Sequence, residues 1–217
     1  MPVNSGVRRL NYLTPMKLGL IVLMLFSSIV YPGSTTMTES SIDIDGDGKL
    51  DHVQIVFAQG EAIKGHGSCG TGETFRGKFS ILVNYNNGTS KRLSVNQLFG
   101  EDELSFYSNP WNINFADYNH DGKVDFNLGQ YGSCNGGVYK LFTFAFTGEI
   151  RELVIANDEL RVSDNSNSTG GIELTPDGFS AVFYSNVVGH RIKSSYHWDA
   201  EKNSFTPISK QIVDVTE

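Results

Sequence analysis

The chain has 217 residues, of which 39% are hydrophobic and 19% charged, and its formal net charge is −7. This composition excludes a wholly disordered protein and suits one globular domain, because it supplies enough apolar side chains for a core. The acidic balance, with no cluster of lysine and arginine, argues against a nucleic-acid-binding protein, since nucleic-acid phosphates require positive charge.

The N-terminal segment has the pattern of an export signal. Arg8, Arg9 and Lys17 precede an apolar run that begins at Leu18 and continues to Val30. The run is shorter than the roughly 20 residues that a membrane-spanning helix needs. We therefore predict a signal peptide or uncleaved N-terminal anchor over residues 1–33, a linker over 34–41 and a single β-rich domain over 42–217. The expected location is periplasmic or extracellular, and removal of the signal changes the net charge from −7 to −10.

Beyond residue 42, apolar and polar residues alternate with a period of two, which is typical of half-buried strands. Such runs occur at 53–57, 79–85, 111–115, 124–128, 142–146, 150–155, 179–183, 196–198 and 205–208. Asn87-Gly88 predicts a tight hairpin turn, because both residues tolerate positive φ. The only helical candidate is a short one over 94–99, and the polar stretch 164–171 is expected to be an exposed loop. The sequence thus predicts an all-β domain.

Two cysteines follow the export signal, Cys69 and Cys134, each preceded by Gly-Ser. An exported protein meets oxidising conditions, so a Cys69–Cys134 disulfide is predicted. Two buried or free thiols are the alternative. The shared Gly-Ser-Cys triplet, placed after a strand in both cases, suggests that the cysteines end equivalent units of a repeat, although coincidence within glycine-rich loops remains the competing explanation.

Two nine-residue segments share the pattern D-x-[DN]-x-D-G-x-[apolar]-D, at 43–51 and 117–125. Alternating short carboxylates can surround a hard cation with oxygen ligands, the glycine permits the sharp turn, and the residue after it offers a backbone carbonyl. The alternative is a pair of Asp/Gly turns that bind no ion. Four carboxylates in nine residues repel one another without a cation, so a metal site is the better interpretation of the first segment.

Each segment predicts one Ca²⁺ site, with water completing the shell. The expected ligands of the first site are Asp43, Asp45, Asp47, the Lys49 carbonyl and Asp51, and those of the second are Asp117, Asn119, Asp121, the Lys123 carbonyl and Asp125. An EF-hand pair is excluded, because strands follow both segments and the position of the bidentate acid holds Gln54 or Leu128. Calcium is favoured over magnesium, since a flexible loop with many oxygens suits six to eight ligands.

The two segments, each leading into an alternating strand, resemble the FG-GAP and VCBS repeats of β-propellers and integrin-like ectodomains. The stretch 113–146 is also similar to a small exported bacterial propeller-like family that includes an inhibitor, an immunity protein, of a peptidoglycan hydrolase. The resemblance implies structural calcium loops and a propeller-like fold, and it transfers no inhibitory residue. The chain is too short for a seven-bladed propeller, so we expect a small or irregular β-propeller-like arrangement of antiparallel strands.

No catalytic motif was found in the sequence. The five histidines lack zinc-site spacing, and the acidic run Glu101, Asp102 and Glu103 is more typical of a solvated loop than of a glycosidase pair. The chain is therefore expected not to be an enzyme. The leading hypothesis is a calcium-binding protein whose partner is a protein, potentially a lysozyme-like peptidoglycan hydrolase that it inhibits. A secreted adhesion or carbohydrate-binding module and a secreted hydrolase are the alternatives.

Overall fold

A computed structural model describes residues 34–64, 73–107, 113–145, 148–163 and 171–213. These ranges contain one short helix, α1 (Val95–Phe99), and the following strands: β1 (Thr35–Ile42), β2 (Asp51–Lys64), β3 (Glu73–Asn84), β4 (Ser90–Ser94), β5 (Leu104–Tyr107), β6 (Asn114–Ala116), β7 (Asp125–Ser133), β8 (Gly136–Phe144), β9 (Ile150–Ile155), β10 (Leu160–Val162), β11 (Ile172–Thr175), β12 (Gly178–Ser185), β13 (His190–Asp199) and β14 (Ser204–Val213). The prediction of an all-β domain is confirmed.

The strands form three successive four-stranded antiparallel meanders, β1–β4, β6–β9 and β11–β14. A four-stranded meander is the unit of a β-propeller blade, so the order of strands is consistent with the expected propeller-like arrangement. The first meander lies in one sheet with β5, which pairs with β3; the other two share a second sheet, in which β10 pairs with β8.

The second and third meanders join through one parallel pairing. Ser204 and Phe205 of β14 lie beside Val154 and Ile155 of β9. The expectation of an antiparallel arrangement therefore holds within each meander but not at this junction. Only two residue pairs make the contact, as is understandable where two separately wound units meet at their edges.

Two apolar cores separate the meanders. The first contains side chains of β2, β3 and α1 together with Phe126, Leu128, Phe142 and Phe144 of the middle meander. The second contains Leu141 and Leu153 with the apolar side chains of β12 to β14. Alternate residues of β8 thus point into different cores, since successive side chains of a strand face opposite ways. The middle meander is buried on both faces.

The predicted linker over 34–41 is wrong, because Thr35–Ile42 forms β1 and pairs along its length with β2. Its threonines are β-branched and favour extended backbone. Met37 and Ile42 also pack against the first core. A polar composition concealed an edge strand whose apolar residues are few. The predicted export signal over 1–33 lies outside the described residues.

Two local predictions are confirmed. Asn87-Gly88 forms the turn between β3 and β4, with Gly88 N donating to Tyr85 O at 3.0 Å. The predicted helix is α1, in which the Ser94 side chain accepts from Gln97 N and Gly100 ends the helix with φ of 73°. Both follow from local capping and turn chemistry.

Candidate metal centre

The two aspartate segments, here called loop 1 (43–51) and loop 2 (117–125), occupy equivalent places in the fold. Each closes the first hairpin of a meander, loop 1 between β1 and β2 and loop 2 between β6 and β7. The last strand pair before each loop is also equivalent, Ile42 with Asp51 and Ala116 with Asp125. The sequence pattern therefore corresponds to one repeated structural element.

The first aspartate of each loop holds the turn from inside. Gly48 N donates to Asp43 Oδ2 at 2.8 Å, and Gly122 N donates to Asp117 Oδ2 at 2.9 Å. Both glycines have φ of +81°, a left-handed conformation that glycine adopts without strain. The glycine predicted to permit the sharp turn does so in both loops.

The ninth position makes a second matched contact. Ile44 N donates to Asp51 Oδ2 at 3.0 Å, and Tyr118 N donates to Asp125 Oδ2 at 2.9 Å. Two further bonds match: Asp47 N to Asp45 Oδ1 and Asp121 N to Asn119 Oδ1, both at 3.2 Å, and Lys49 N to Asp47 Oδ1 and Lys123 N to Asp121 Oδ1, at 2.8 and 2.9 Å. Both loops thus fold their side chains inward in the same way.

Three carboxylates of loop 1 converge. Asp43, Asp45 and Asp51 each place an oxygen within 4.8 Å of the others. An ion about 2.4 Å from each oxygen separates two ligands by at most about 4.8 Å, so one cation can contact all three. These three acids could hold a metal ion. Asp47, also a predicted ligand, does not belong to this group.

Loop 2 has a weaker charge. Asn119 stands where loop 1 has Asp45, and the ammonium group of Lys123 lies 2.7 Å from Asp121 Oδ2. This contact and the backbone bond from Lys123 lower the pKa of the Asp121 carboxyl, although burial opposes them. The ligand positions are predicted from the pattern, and a site here would use an amide oxygen and a carboxylate already paired with lysine.

The ninth aspartate is buried in both loops, with Asp51 1% and Asp125 0% exposed. Burial raises the pKa of the Asp125 carboxyl to about 6, against the lowering effect of its hydrogen bonds. Its Oδ1 atom accepts no hydrogen bond from the described residues. A buried anion without full pairing is costly, and a bound cation would offset that cost. The donor set therefore fits a divalent metal ion.

Loop 2 is fastened to both neighbours. Tyr118, its second residue, is completely buried in the second core, where its hydroxyl accepts from Asn127 Nδ2 at 2.6 Å. Its ring meets that of Phe179 edge to face, with centroids 6.0 Å apart. His120 Nε2 lies 3.0 Å from the Thr175 carbonyl, at the turn between β11 and β12. The sequence pattern did not indicate these contacts.

The acidic run considered for catalysis does not converge. The carboxylate of Glu101 accepts from Gln130 Nε2 at 2.7 Å, whereas Asp102 and Glu103 pair with Lys78 and Arg76 at 3.8 and 3.1 Å. The three acids thus face separate partners, which is the solvated-loop arrangement.

The predicted disulfide is not tested by the described geometry. Cys134 lies in the turn between β7 and β8, whereas Cys69 falls outside the described residues. Within those residues, no helix combines the length and the apolar character needed to cross a membrane.

Comparison of the chain with protein-family models, curated proteins and solved structures found no match. The candidate site therefore stands on its own geometry: two equivalent hairpin loops, one with three converging carboxylates and both with a buried ninth aspartate.

Proposed function

We propose that the chain is an exported calcium-binding domain that acts by binding a partner protein and catalyses no reaction. The observation that carries the proposal is the matched pair of loops, in which the same backbone bonds turn oxygen-bearing side chains toward the loop interior. Two copies of one such element in one chain favour a shared role. That role is to bind a divalent cation and hold the first hairpin of each meander.

Calcium is the cation that the loops suit best. Carboxylate, amide and carbonyl oxygens are hard ligands, which excludes a preference for soft metals. Magnesium requires a tight octahedron and retains most of its water, whereas calcium accepts six to eight oxygens on a flexible loop. Loop 1 offers three carboxylates near one centre and leaves room for carbonyl oxygen and water.

Calcium is expected to raise the melting temperature of the full-length protein by about 5–10 °C over excess chelator. Saturation at about 100 times the dissociation constant contributes about 2.7 kcal/mol, and each kcal/mol shifts the midpoint by about 2–4 °C in a chain of this size. Circular dichroism melts in calcium chloride and in EDTA measure the difference. Asp43→Ala should remove part of the gain, whereas Asp177→Ala, in the corresponding turn of the third meander, should leave it intact. Identical melting curves in calcium and chelator would contradict the proposal.

The partner that we propose is a peptidoglycan hydrolase, which the chain would inhibit. Support comes from the similarity of residues 113–146 to the exported family described above, and from the divergent pairing of Glu101, Asp102 and Glu103, which favours binding over hydrolysis. The acidic net charge of −7 suits a basic partner, and lysozyme-like enzymes act on an anionic polymer and need positive charge.

Inhibition is tested by mixing the calcium-loaded protein with a panel of lysozyme-type hydrolases and following the clearing of a peptidoglycan suspension. Clearing by at least one enzyme is expected to fall at a stoichiometric ratio, and the protein alone should release no fragments. Fragment release by the protein alone would instead favour a secreted hydrolase. Retention on peptidoglycan without inhibition would favour a carbohydrate-binding or adhesion module.

A further inference from the structure

We propose that the cavity beside loop 1 binds a ligand carboxylate, which coordinates the cation of loop 1 and contacts the ammonium group of Lys91. The inference rests on the proposed function, because it requires a cation in loop 1. It adds a ligand to a site that would otherwise have only a structural role.

The cavity has a volume of about 350 Å³ and lies where three turns meet: loop 1, the β3–β4 hairpin and the β8–β9 turn. Ligand pockets begin at about 300 Å³, so the space suits a single sugar ring or a dipeptide. Most of the wall is polar, with hydroxyl, amide and ammonium groups supplied by Tyr85, Ser90, Asn87 and Lys91. Ile44 and Ala145 supply an apolar part.

Loop 1 and the cavity share their structure. Asp45 belongs both to the converging carboxylates and to the cavity wall. Asp51 links the two parts, since its Oδ1 accepts from Asn86 N of the hairpin at 2.9 Å and its Oδ2 accepts from Ile44 N at 3.0 Å. A cation held by loop 1 would therefore lie next to a ligand in the cavity.

Two polar side chains converge on the far wall. A Cβ atom added at Gly148 would lie 2.7 Å from Tyr85 Oη and 3.1 Å from Lys91 Nζ. The glycine thus leaves open the space that these two groups face. Burial and the charges of Asp51 and Asp45 raise the pKa of the Tyr85 hydroxyl, which therefore stays protonated at neutral pH and can donate a hydrogen bond.

The charges of the cavity select an anion. A divalent cation on one side and Lys91 on the other both attract negative charge, and calcium prefers carboxylate oxygen to nitrogen or sulfur. The hydroxyl and amide groups between them suit a ligand with further polar groups. A carboxylated sugar and an acidic peptide share this chemistry.

Loop 2 lacks such a site, which makes it a useful contrast. Its third residue, Asn119, is buried, and the His120 ring contacts the Thr175 carbonyl of the next meander. Loop 2 is therefore covered on the side where loop 1 faces a cavity. One loop would be structural and the other would bind a ligand.

The test uses the full-length protein and begins with a calorimetric titration of calcium. Backbone amide NMR shifts are then followed as sodium glucuronate or the peptide acetyl-Glu-Glu-amide is added in calcium or in EDTA, with glucose and acetyl-Gln-Gln-amide as neutral controls. At least one acidic probe is expected to shift the amides of Tyr85, Ser90, Lys91 and Gly148 in calcium only. Lys91→Met should weaken that binding about tenfold, while Lys193→Met, on a strand of the third meander, should not change it.

The outcomes separate this inference from the proposed function. Binding of glucuronate alone or of the peptide alone supports the inference and identifies the source of the carboxylate. Calcium binding without any response to either acidic probe, or an equal response in EDTA, overturns the inference and leaves the calcium proposal standing. Absence of calcium binding in the first titration overturns both, and it does so before a probe is added.

Discussion

Replacing Asp51 with alanine is expected to lower the free energy of unfolding by about 3 kcal/mol even in chelator, because two buried amides lose their acceptor. The side chain is 1% exposed and accepts from Ile44 N and Asn86 N at 3.0 and 2.9 Å. Calcium should then stabilise the variant less than the parent protein, since one converging carboxylate of loop 1 is lost. Urea denaturation in calcium chloride and in EDTA measures both effects.

Asp47→Ala is the matched control for Asp51→Ala. Asp47 lies in the same loop, and its side chain accepts from Lys49 N at 2.8 Å, but it is exposed. Its loss in chelator should cost less than about 1 kcal/mol, because water can replace the bond. Equal costs for the two substitutions would show that Asp51 does not connect loop 1 to the β3–β4 hairpin.

Replacing Tyr118 with alanine is expected to cost about 4 kcal/mol, the range for a large aromatic side chain removed from a core. The ring is completely buried against Phe179, and Tyr118 N is the donor that holds Asp125 Oδ2. Disturbance of this position should also weaken calcium binding at loop 2 while loop 1 continues to bind. Denaturation curves give the first quantity, and calorimetric titration of calcium gives the second.

Ile44 offers the equivalent position in loop 1. It is only partly buried, so Ile44→Ala should cost less than half as much as Tyr118→Ala. Tyr118→Phe separates packing from hydrogen bonding, since it keeps the ring and removes only the acceptor for Asn127 Nδ2. A cost near 1–2 kcal/mol is expected for that change. If Tyr118→Ala left calcium binding at loop 2 unchanged, the core and the loop would be independent.

Alternation predicts the strands that form the centres of the meanders, because one face of each meets a core and period two follows directly. It does not predict β5, β10 and β11, which have three or four residues each. Strands this short carry too few alternating residues to be distinguished from loops. Pairing with β3, β8 and β12, respectively, places them in the sheets.

The loops themselves could be recognised from sequence, since the positions of aspartate and glycine follow from how a turn encloses a cation. Their surroundings could not. The contact between Asn86 and Asp51 spans 35 residues, and that between His120 and Thr175 spans 55. Such contacts depend on how meanders pack, which no local pattern records. The predicted linker failed for a related reason, because a strand with few apolar residues is recognised only through its partner.

Both cores draw side chains from β6–β9, and the histidine of loop 2 extends that shared role to the rim by contacting the next hairpin. The middle unit is therefore the keystone of the sequence of three. Changes of length should be tolerated at the outer units well before they are tolerated here. A related chain with more or fewer hairpins would be expected to have gained or lost them at its ends.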